Sequence, residues 1–410
     1  MSTENPRGIV ELGNIYVKCI IFKINQNNIS EILSTSITES EGIHNGVIVN
    51  LEKASKVIRS SISAAEEKAK VTIKKTTVLI EQPEFLCTKL SKQRKIDGSK
   101  IHKYDIDFLL KESKKQIIHN DNNQSIIHIF NHNYIVDGKT FVEEPIDVFA
   151  NSLSHEMTFI TVPKNNLRNI NQAFNNCDIE VERYISSIFA SAVYLLNDRE
   201  MQSGSILIDM GFEKTSLGIF KYLALVHSIT LPVGIHHIAK DISKICSLDI
   251  EESKTISKKI DFIFQNKQEL FDFDNYLKNI YFTNSGYRKI SKSLILDIVK
   301  SRIDEIFQIT KKQIIETGFS SLLYSNIYIT GGGSNLLNID KYCSTYFGSK
   351  VKKLDLNRNG IKNEKDLNFV SCLGALEIIK DGWETEAIPD QTNKNDQKLS
   401  FFAKIFGKEM

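Results

Sequence analysis

The sequence has no CxxC pair. Its six cysteines, Cys19, Cys87, Cys177, Cys246, Cys343 and Cys372, are scattered, which argues against a zinc site or a disulfide framework and for a reducing compartment. It has no charge of one sign to spare. Lys and Arg number 52 against 50 Asp and Glu, a net charge of +2, so no global field draws the chain onto nucleic acid, and no nucleic-acid partner is expected. No run of about 18 uninterrupted apolar residues occurs, so no segment is expected to span a bilayer. Met1 to Arg7 is polar with no apolar core behind it, so no secretory signal is expected. What remains is a globular composition: 410 residues, 41% hydrophobic and 25% charged. At about 150 residues per domain, that length suggests two to four structural units.

The opening reads as an antiparallel sheet. Gly8–Gly13 is a strand ending in a glycine turn, Tyr16–Ile24 returns, and Ile29–Ile37 follows a polar turn at Asn27-Asn28. Ala54, Val57, Ile58, Ile62 and Ala65 recur three and four apart, which predicts an amphipathic helix over Leu51–Lys70. Thr76–Ile80 is strand-like. From Pro83 the texture changes to Lys, Asn, Asp and His, with a short helix expected near Asp105–Gln116. Ser125–Phe130 and Asn133–Val136 are expected to pair with each other as strands, and Asp137-Gly138 signals a turn. The segment to about Pro163 reads as a small α+β insert. The basic run Lys89–Lys103 reads as a solvated loop on that insert or as a docking surface.

The opening pattern then returns. After helices at Leu167–Asn175 and Ile185–Leu195, Ser205–Gly211 is a strand into a glycine turn, Lys214–Phe220 comes back, and Leu223–Thr230 is a third strand. Residues 205–230 repeat the order of residues 8–37, and an internal duplication outranks any single motif. Residues 235–320 read as mostly helical, with the longest helix at Ile290–Ile315. Strand Asn326–Thr330 feeds Gly331-Gly332-Gly333-Ser334, after which Asn335-Leu336-Leu337 is expected to open a helix; helical residues follow through Val370–Ile379.

Three places can carry ligand chemistry. A buried strand ending in Gly331-Gly332-Gly333-Ser334 lets backbone approach a ligand closely and aims N–H groups at an anion or sugar; a plain strand-to-helix turn is the alternative. Val10-Glu11-Leu12-Gly13 and Ile208-Asp209-Met210-Gly211 each join a carboxylate, an apolar residue and a glycine. Two such hairpins can clamp a phosphate chain, and Glu11 and Asp209 can hold a hydrated Mg²⁺, which prefers oxygen ligands and keeps its waters. The bland reading is two hairpins with polar tips. The third place is the C-terminus. At 100° per residue, Leu399, Phe402, Ala403, Phe406 and Met410 cluster on one side, Phe401 and Ile405 widen that face, and Ser400, Lys404 and Lys408 lie opposite. Such a helix is about 18 Å long, too short for the ~30 Å hydrocarbon core, but suited to lying in the headgroup layer with lysines over anionic lipid. Docking on the protein's own core is the alternative, weakened by the polar linker Glu384–Gln397 before it. Less is expected of His128-x3-His132, whose metal-like spacing lies across a strand and turn, and of His236-His237, which packs or faces solvent.

Together these features resemble the actin, heat-shock-chaperone and sugar-kinase superfamily of ATP-binding proteins. Within it they are most similar to the bacterial FtsA family of cell-division proteins. The residues that carry the resemblance are Gly46-Val47-Ile48 with Ala65-Glu66-Glu67, Val136-Asp137-Gly138, Pro145, His155-x5-Thr161, Leu231-Pro232-Val233-Gly234 with Ile238–Ile242, Thr330–Ser334, and Gly374-Ala375-Leu376. The resemblance implies an α/β actin-like ATPase fold: two duplicated α/β halves, an inserted α+β subdomain and a helical subdomain. It places subdomain 1A at 1–82 with part of 345–383, an SHS2-type insert 1C at 83–162, 2A at 163–234 with 321–344, 2B at 235–320, a linker at 384–397 and a membrane-targeting helix at 398–410.

The resemblance further implies ATP and Mg²⁺ in a cleft between the halves. Glu11, Gly13, Asn14, Asp209, Gly211, Lys214 and Thr215 would lie at the phosphates, Gly331, Gly332, Gly333 and Ser334 at the adenosine, with Glu251 and Lys254 flanking it; solvated helix charges are the alternative reading of that last pair. Glu11 and Asp209 would reach the metal through water. It also implies self-association into filaments, capture of the C-terminal tail of FtsZ by 2B, contacts of 1C with other division proteins, and peripheral attachment to the cytoplasmic face of the inner membrane at the division site through Leu399, Phe401, Phe402, Lys404, Ile405, Phe406 and Lys408. Two hairpins depart from the family pattern. Glu11 stands for the usual Asp, and Asn14, Ile15 and Tyr16 replace small hydroxyl residues and a lysine. In place of Asp-x-Gly-Gly-Gly-Thr-Thr-Asp the second hairpin runs Asp209-Met210-Gly211-Phe212-Glu213-Lys214-Thr215-Ser216, and Ile235 replaces a glycine. No catalytic residue is assigned, and any turnover is expected to be slow. Rival readings are a sugar or acyl-phosphate kinase of the superfamily and a pilus-assembly relative.

Overall fold

The computed structural model describes residues 5–25, 28–141, 143–262, 269–324, 326–353 and 368–381. They divide into two compact units: the described parts of Met1–Ser203, Phe220–Ile229 and Leu356–Met410, and those of Gly204–Ile219 and Thr230–Asp355.

The first unit opens with β1 (Arg7–Leu12), β2 (Tyr16–Ile24), β3 (Ser30–Glu39), the short β4 (Ile43–His44) and β5 (Val47–Ile48), α1 (Leu51–Ala69) and β6 (Lys75–Ile80). β1 runs antiparallel to β2 with Val10 opposite Cys19, and parallel to β6 with Val10 opposite Val78. Ile9, Val10, Ile20, Ile21, Val78 and Leu79 are all fully buried, the apolar run expected of strands covered on both faces. α1 starts because the Asn50 side chain accepts from the Lys53 N–H, which satisfies one orphan donor of the first turn. It ends at Lys70 in the left-handed conformation. Its buried stripe, Ala54, Ile58, Ile62 and Ala65, follows the helical period.

The next segment is a sheet of its own. β7 (Leu86–Lys95), α2 (Lys103–Asn120), β8 (Gln124–Val136), β9 (Lys139–Phe141) and β10 (Ser152–Pro163) form a four-stranded sheet in the order β7-β10-β8-β9. Two expectations are corrected here. The run from Ser125 to Val136 is one strand, not two strands paired with each other. Its partner is β10, and the register slips between Glu156 and Met157, which face Asn133 and Asn131, leaving His132 as the extra residue of a bulge. Lys89, Lys92, Arg94 and Lys95 stand on a strand rather than a loop. There Arg94 pairs at 3.0 Å with Asp105, which is 2% exposed, and lies 4.5 Å over the Phe108 ring. The Asp137-Gly138 turn closes β8 onto β9 with both residues at positive φ, as a two-residue hairpin requires.

The chain then runs through α3 (Lys164–Asn175), β11 (Glu180–Ser186), α4 (Ser187–Leu195) and α5 (Asp198–Ser203). Ile185 is thus the end of a strand rather than the start of a helix; Ser186 caps α4 by accepting from Phe189 N–H. β11 joins β6 in parallel and completes the sheet β11-β6-β1-β2-β3.

The duplicate strands are β12 (Ser205–Met210), β13 (Thr215–Lys221) and β14 (Ala224–Leu231). After them come α6 (His236–Cys246), α7 (Ile250–Lys258), α8 (Lys292–Glu316), β15 (Ile327–Thr330), α9 (Ile339–Phe347) and β16 (Val351–Lys353). The sheet order is β14-β13-β12-β15-β16, with β12 and β16 both parallel to β15. Residues 235–320 are mostly helical, as expected, through α6, α7 and α8, with one long interruption. Between α7 and α8 the described residues hold only a 3₁₀ turn at Asn279–Tyr281. Nor does Asn335 open a helix: Gly332–Asn335 is a 3₁₀ turn, and α9 begins at Ile339 behind Asn338 in the left-handed conformation. The last described element, α10 (Val370–Asp381), belongs to the first unit and packs on α4. A Cβ on Gly374 would lie 1.7 Å from the Ala190 carbonyl oxygen, so glycine sets how closely these helices approach.

Candidate functional site

Both hairpins turn in the same way. In the first, Gly13 N–H donates to the Tyr16 carbonyl at 3.2 Å, and a Cβ on Gly13 would come within 2.6 Å of that oxygen. In the second, a Cβ on Gly211 would come within 2.8 Å of the Lys214 carbonyl. Each glycine therefore folds back on the residue three places later, a closeness no side chain permits. Around these turns the polar groups are engaged. Glu11 sits opposite Lys18 in the β1–β2 register and accepts from its ammonium at 2.7 Å; this partner is invisible to a motif search, because it lies on the returning strand. The Asn14 amide donates to Asn45 Oδ1 at 3.1 Å.

The second unit gathers three turns that are far apart in sequence. Gly234 lies against the hairpin loop: a Cβ there would be 2.6 Å from the carbonyl oxygens of both Gly211 and Phe212 and 2.7 Å from Lys214 N. Those carbonyls accept from Ile235 N–H at 3.1 Å and His236 N–H at 2.7 Å. On the other side, Gly331, at φ +81°, would place a Cβ 2.1 Å from Asp209 Oδ1, and one on Gly333 would meet Met210 Cβ at 2.6 Å and Ile235 Cγ2 at 2.7 Å. Ser334 Oγ donates back to the Gly331 carbonyl at 2.8 Å, and Thr215 Oγ1 to the Val233 carbonyl at 2.8 Å. So Asp209, Gly211, Lys214, Thr215 and Gly331–Ser334 are neighbours within one unit. Gly332 is the roomy member: a Cβ there would have only Ile235 Cδ1 within 4.0 Å.

Sequence reasoning missed what the two non-glycine residues of the loop do. The Phe212 ring stacks on His236, centroids 4.3 Å apart and planes 15° from parallel. Glu213 pairs with Lys240 of α6 at 3.5 Å. Burial, then Lys240 and Lys254, hold the His236 imidazole below its ordinary range, with Glu213 pulling the other way. Lys254 is thereby placed near this loop, and its ammonium donates to Glu251 at 2.6 Å across one turn of α7. Of that pair Lys254 is the more covered, 29% exposed against 67% for Glu251. Farther along α6, a groove of about 370 Å³ is lined by Asp241, Ile245, Asp297, Ile298, Ser301, Arg302 and Glu305. Arg302 there grips Asp241 through Nε at 2.7 Å and Nη2 at 3.0 Å.

The remaining candidates resolve simply. His128 accepts from Ser186 N–H at 2.9 Å, and His132 bonds the Thr158 hydroxyl; among the described residues no group of His, Cys, Asp or Glu is arranged to hold a metal ion. Nor, among them, is any helix long and apolar enough to cross a membrane. The linker Glu384–Gln397 and the amphipathic stretch with Leu399, Phe401, Phe402, Lys404, Ile405, Phe406 and Lys408 lie outside the described residues.

Comparison with known proteins identifies the scaffold. Residues 85–161 match the family model described as the SHS2 domain inserted in FTSA, and residues 206–374 match that of cell division protein FtsA. A cell division protein FtsA from Borreliella burgdorferi is 24% identical over 405 residues, 97% of this chain and 96% of that one. Among solved structures, a PilM-PilN type IV pilus biogenesis complex aligns with a TM-score of 0.63 at 10% identity, covering 90% of this chain and 97% of that chain. MreB5 of Spiroplasma citri bound to ADP aligns at 0.54 and 14% identity, covering 92% and 98%. The fold is therefore actin-like. The family matches do not favour the kinase and pilus-assembly readings, and the chain belongs to the FtsA family of cell division proteins.

Proposed function

We propose that this chain is a nucleotide-binding scaffold that polymerises on the inner face of the cytoplasmic membrane and ties FtsZ to it. The observation that carries the nucleotide part is the meeting of Asp209–Gly211, Gly234 and Gly331–Gly333, backbone turns packed on one another more closely than side chains would allow, with Gly332 left uncrowded. A phosphate chain and a sugar need such backbone approach. The solved MreB5 of the same fold carries ADP, which favours an adenine nucleotide. Gly331, Gly332, Gly333 and Ser334 would serve the adenosine side, Gly211, Lys214 and Thr215 the phosphates, and Asp209 a hydrated Mg²⁺, with Glu251 and Lys254 beside the base. Glu11, Gly13 and Asn14 would act from the first hairpin, with Glu11 moderated by Lys18. Any ATPase activity is slow, and the nucleotide serves filament formation more than turnover.

In this reading the sheet of β7 to β10 is the insert 1C, which contributes to self-association and to contacts with other division proteins. The α6–α8 region is 2B, which takes the FtsZ tail. The groove beside Arg302 supports that part: it offers three carboxylates against one guanidinium over Ile245 and Ile298, a lining suited to a peptide with basic and apolar side chains. The segment 398–410 lies in anionic lipid. One short helix binds weakly, and a filament multiplies it into firm attachment. The test is recruitment. Purified chain should carry FtsZ onto anionic vesicles in a sedimentation assay, and F402E/F406E should leave both proteins in the supernatant while retaining FtsZ-tail binding in solution. Sedimentation unchanged by the double substitution would remove the anchor; no FtsZ-tail binding at high micromolar peptide would remove the tether.

A further inference from the structure

We propose that Glu213 is an internal anion standing where a ligand phosphate belongs, so that this chain takes up nucleotide only in competition with its own side chain. The inference rests on the nucleotide-site reading above and deepens it.

The loop that would cradle phosphate is Gly211–Lys214, and it is not open. Two backbone hydrogen bonds, from Ile235 and His236 to the carbonyls of Gly211 and Phe212, tie it to the first turn of α6. The absent side chain of Gly234 allows that closeness, and the Phe212–His236 stack covers it. With the loop so fixed, the Glu213 side chain, 17% exposed, is directed at the cations of α6. Its carboxylate is 3.5 Å from Lys240. It is also close enough to raise the proton affinity of both His236 and His237, against burial, Lys240 and the further cations Lys254, at His236, and Arg302, at His237. Of these cations Lys254 is bonded to Glu251 and Arg302 to Asp241 and Glu305. The cationic members are what a phosphate would seek, and the carboxylate among them is what a phosphate must displace. A like charge at contact distance in a partly covered site opposes binding strongly, and salt weakens that opposition.

The experiment compares the full chain with E213Q and E213G, measuring ATP binding by equilibrium dialysis with Mg²⁺ at low and high salt, with pyrophosphate as a second probe. Removing the charge should tighten ATP and pyrophosphate by about tenfold or more, with the advantage shrinking at high salt. K240Q, which deletes a cation and leaves the carboxylate, should weaken both. Thermal melts of each variant separate this from a structural role, which would lower the melting temperature of E213Q and K240Q alike without moving affinity in opposite directions. Binding by E213Q alone supports the inference in its strongest form. Equal or weaker binding by E213Q and E213G, with wild type binding normally, overturns it and leaves the nucleotide site standing. Failure of all forms to bind at millimolar nucleotide overturns both.

Discussion

Acidification should loosen the insert sheet through its buried histidines. Burial holds His128 and His155 neutral down to about 3, against an ordinary 6.5; they are 2% and 0% exposed. Their folded-state pKa values are depressed, so the unfolded chain takes up protons below pH 6.5 while the folded chain does not. Stability is full above that pH and falls as pH drops towards 3. Each histidine contributes a slope approaching ~1.4 kcal/mol per pH unit, and at pH 5.5 the loss is about 1.4 kcal/mol each, roughly 3 kcal/mol for the pair. His132 and His227, both held to about 4 by burial and then Lys89, push the same way. Against a stability of about 5–15 kcal/mol for a typical domain, that is a large fraction. The assay is hydrogen exchange of peptides within Gln124–Pro163, corrected for intrinsic rates, at pH 7.5, 6.5 and 5.5. Protection should fall steeply below the middle value. H155F isolates one contribution. The His155 ring stacks on Tyr134 at 4.4 Å and, among the described residues, has no hydrogen-bond partner on either nitrogen. Phenylalanine keeps the ring and deletes the titration, so the variant should match wild type or exceed it at neutral pH and lose about a quarter of the acid slope. Protection indifferent to pH between 7.5 and 5.5, or an H155F slope equal to wild type, would refute the reasoning.

Two further outcomes follow from packing. G374A should destabilise by about 1–3 kcal/mol, because the added methyl falls 1.7 Å from the Ala190 carbonyl and neither helix backbone can yield cheaply; an unchanged melting temperature would mean that α10 slides on α4 at no cost. Glu252 accepts from Asn284 N–H at 2.6 Å, Ser285 N–H at 2.9 Å, the Ser285 hydroxyl at 2.5 Å and Asp249 N–H at 2.9 Å, so it fastens the start of α7 to the loop at 284–285. E252A should cost about 2–3 kcal/mol and speed proteolysis near residue 285, whereas E251A, on an exposed neighbour, should do neither.

What the sequence disclosed was local, and what it hid was relational. β1, β2 and their glycine turn were legible because an apolar run and a glycine are decisive within a few residues, and the same pattern at Ser205–Gly211 made the duplication legible too. β7 escaped because its alternation is written in Lys, Gln and Arg, whose long stems cover apolar surface from a solvent-facing strand. β8 was split in two because His132 and its asparagine neighbours read as a turn, although as a bulge they only shift the register with β10. Helix starts went wrong by a few residues where a cap decides them: Ser186 ends one strand and begins α4, and Asn338, not Asn335, precedes α9. At the site, the glycines were found, but that Gly234 serves the Gly211 loop, or that Asp209 needs Gly331 to be bare, depends on pairs 23 and 122 residues apart along the printed numbering, which no local pattern reports.

The two hairpins share one backbone constraint and differ in how their carboxylates are paired. Gly13 against the Tyr16 carbonyl and Gly211 against the Lys214 carbonyl are the same backbone event, and it constrains only the glycine. The residues between glycine and returning strand are under no such steric limit, and they differ between the two hairpins. The first hairpin settles its carboxylate at home, Glu11 on Lys18 directly across the ladder. The second keeps Asp209 against Gly331 and sends Glu213 to Lys240 on a different element. A charge satisfied within its own hairpin can be carried along unchanged whatever binds nearby; a charge satisfied by α6 links the loop to that helix, so anything that displaces it must also alter what α6 feels.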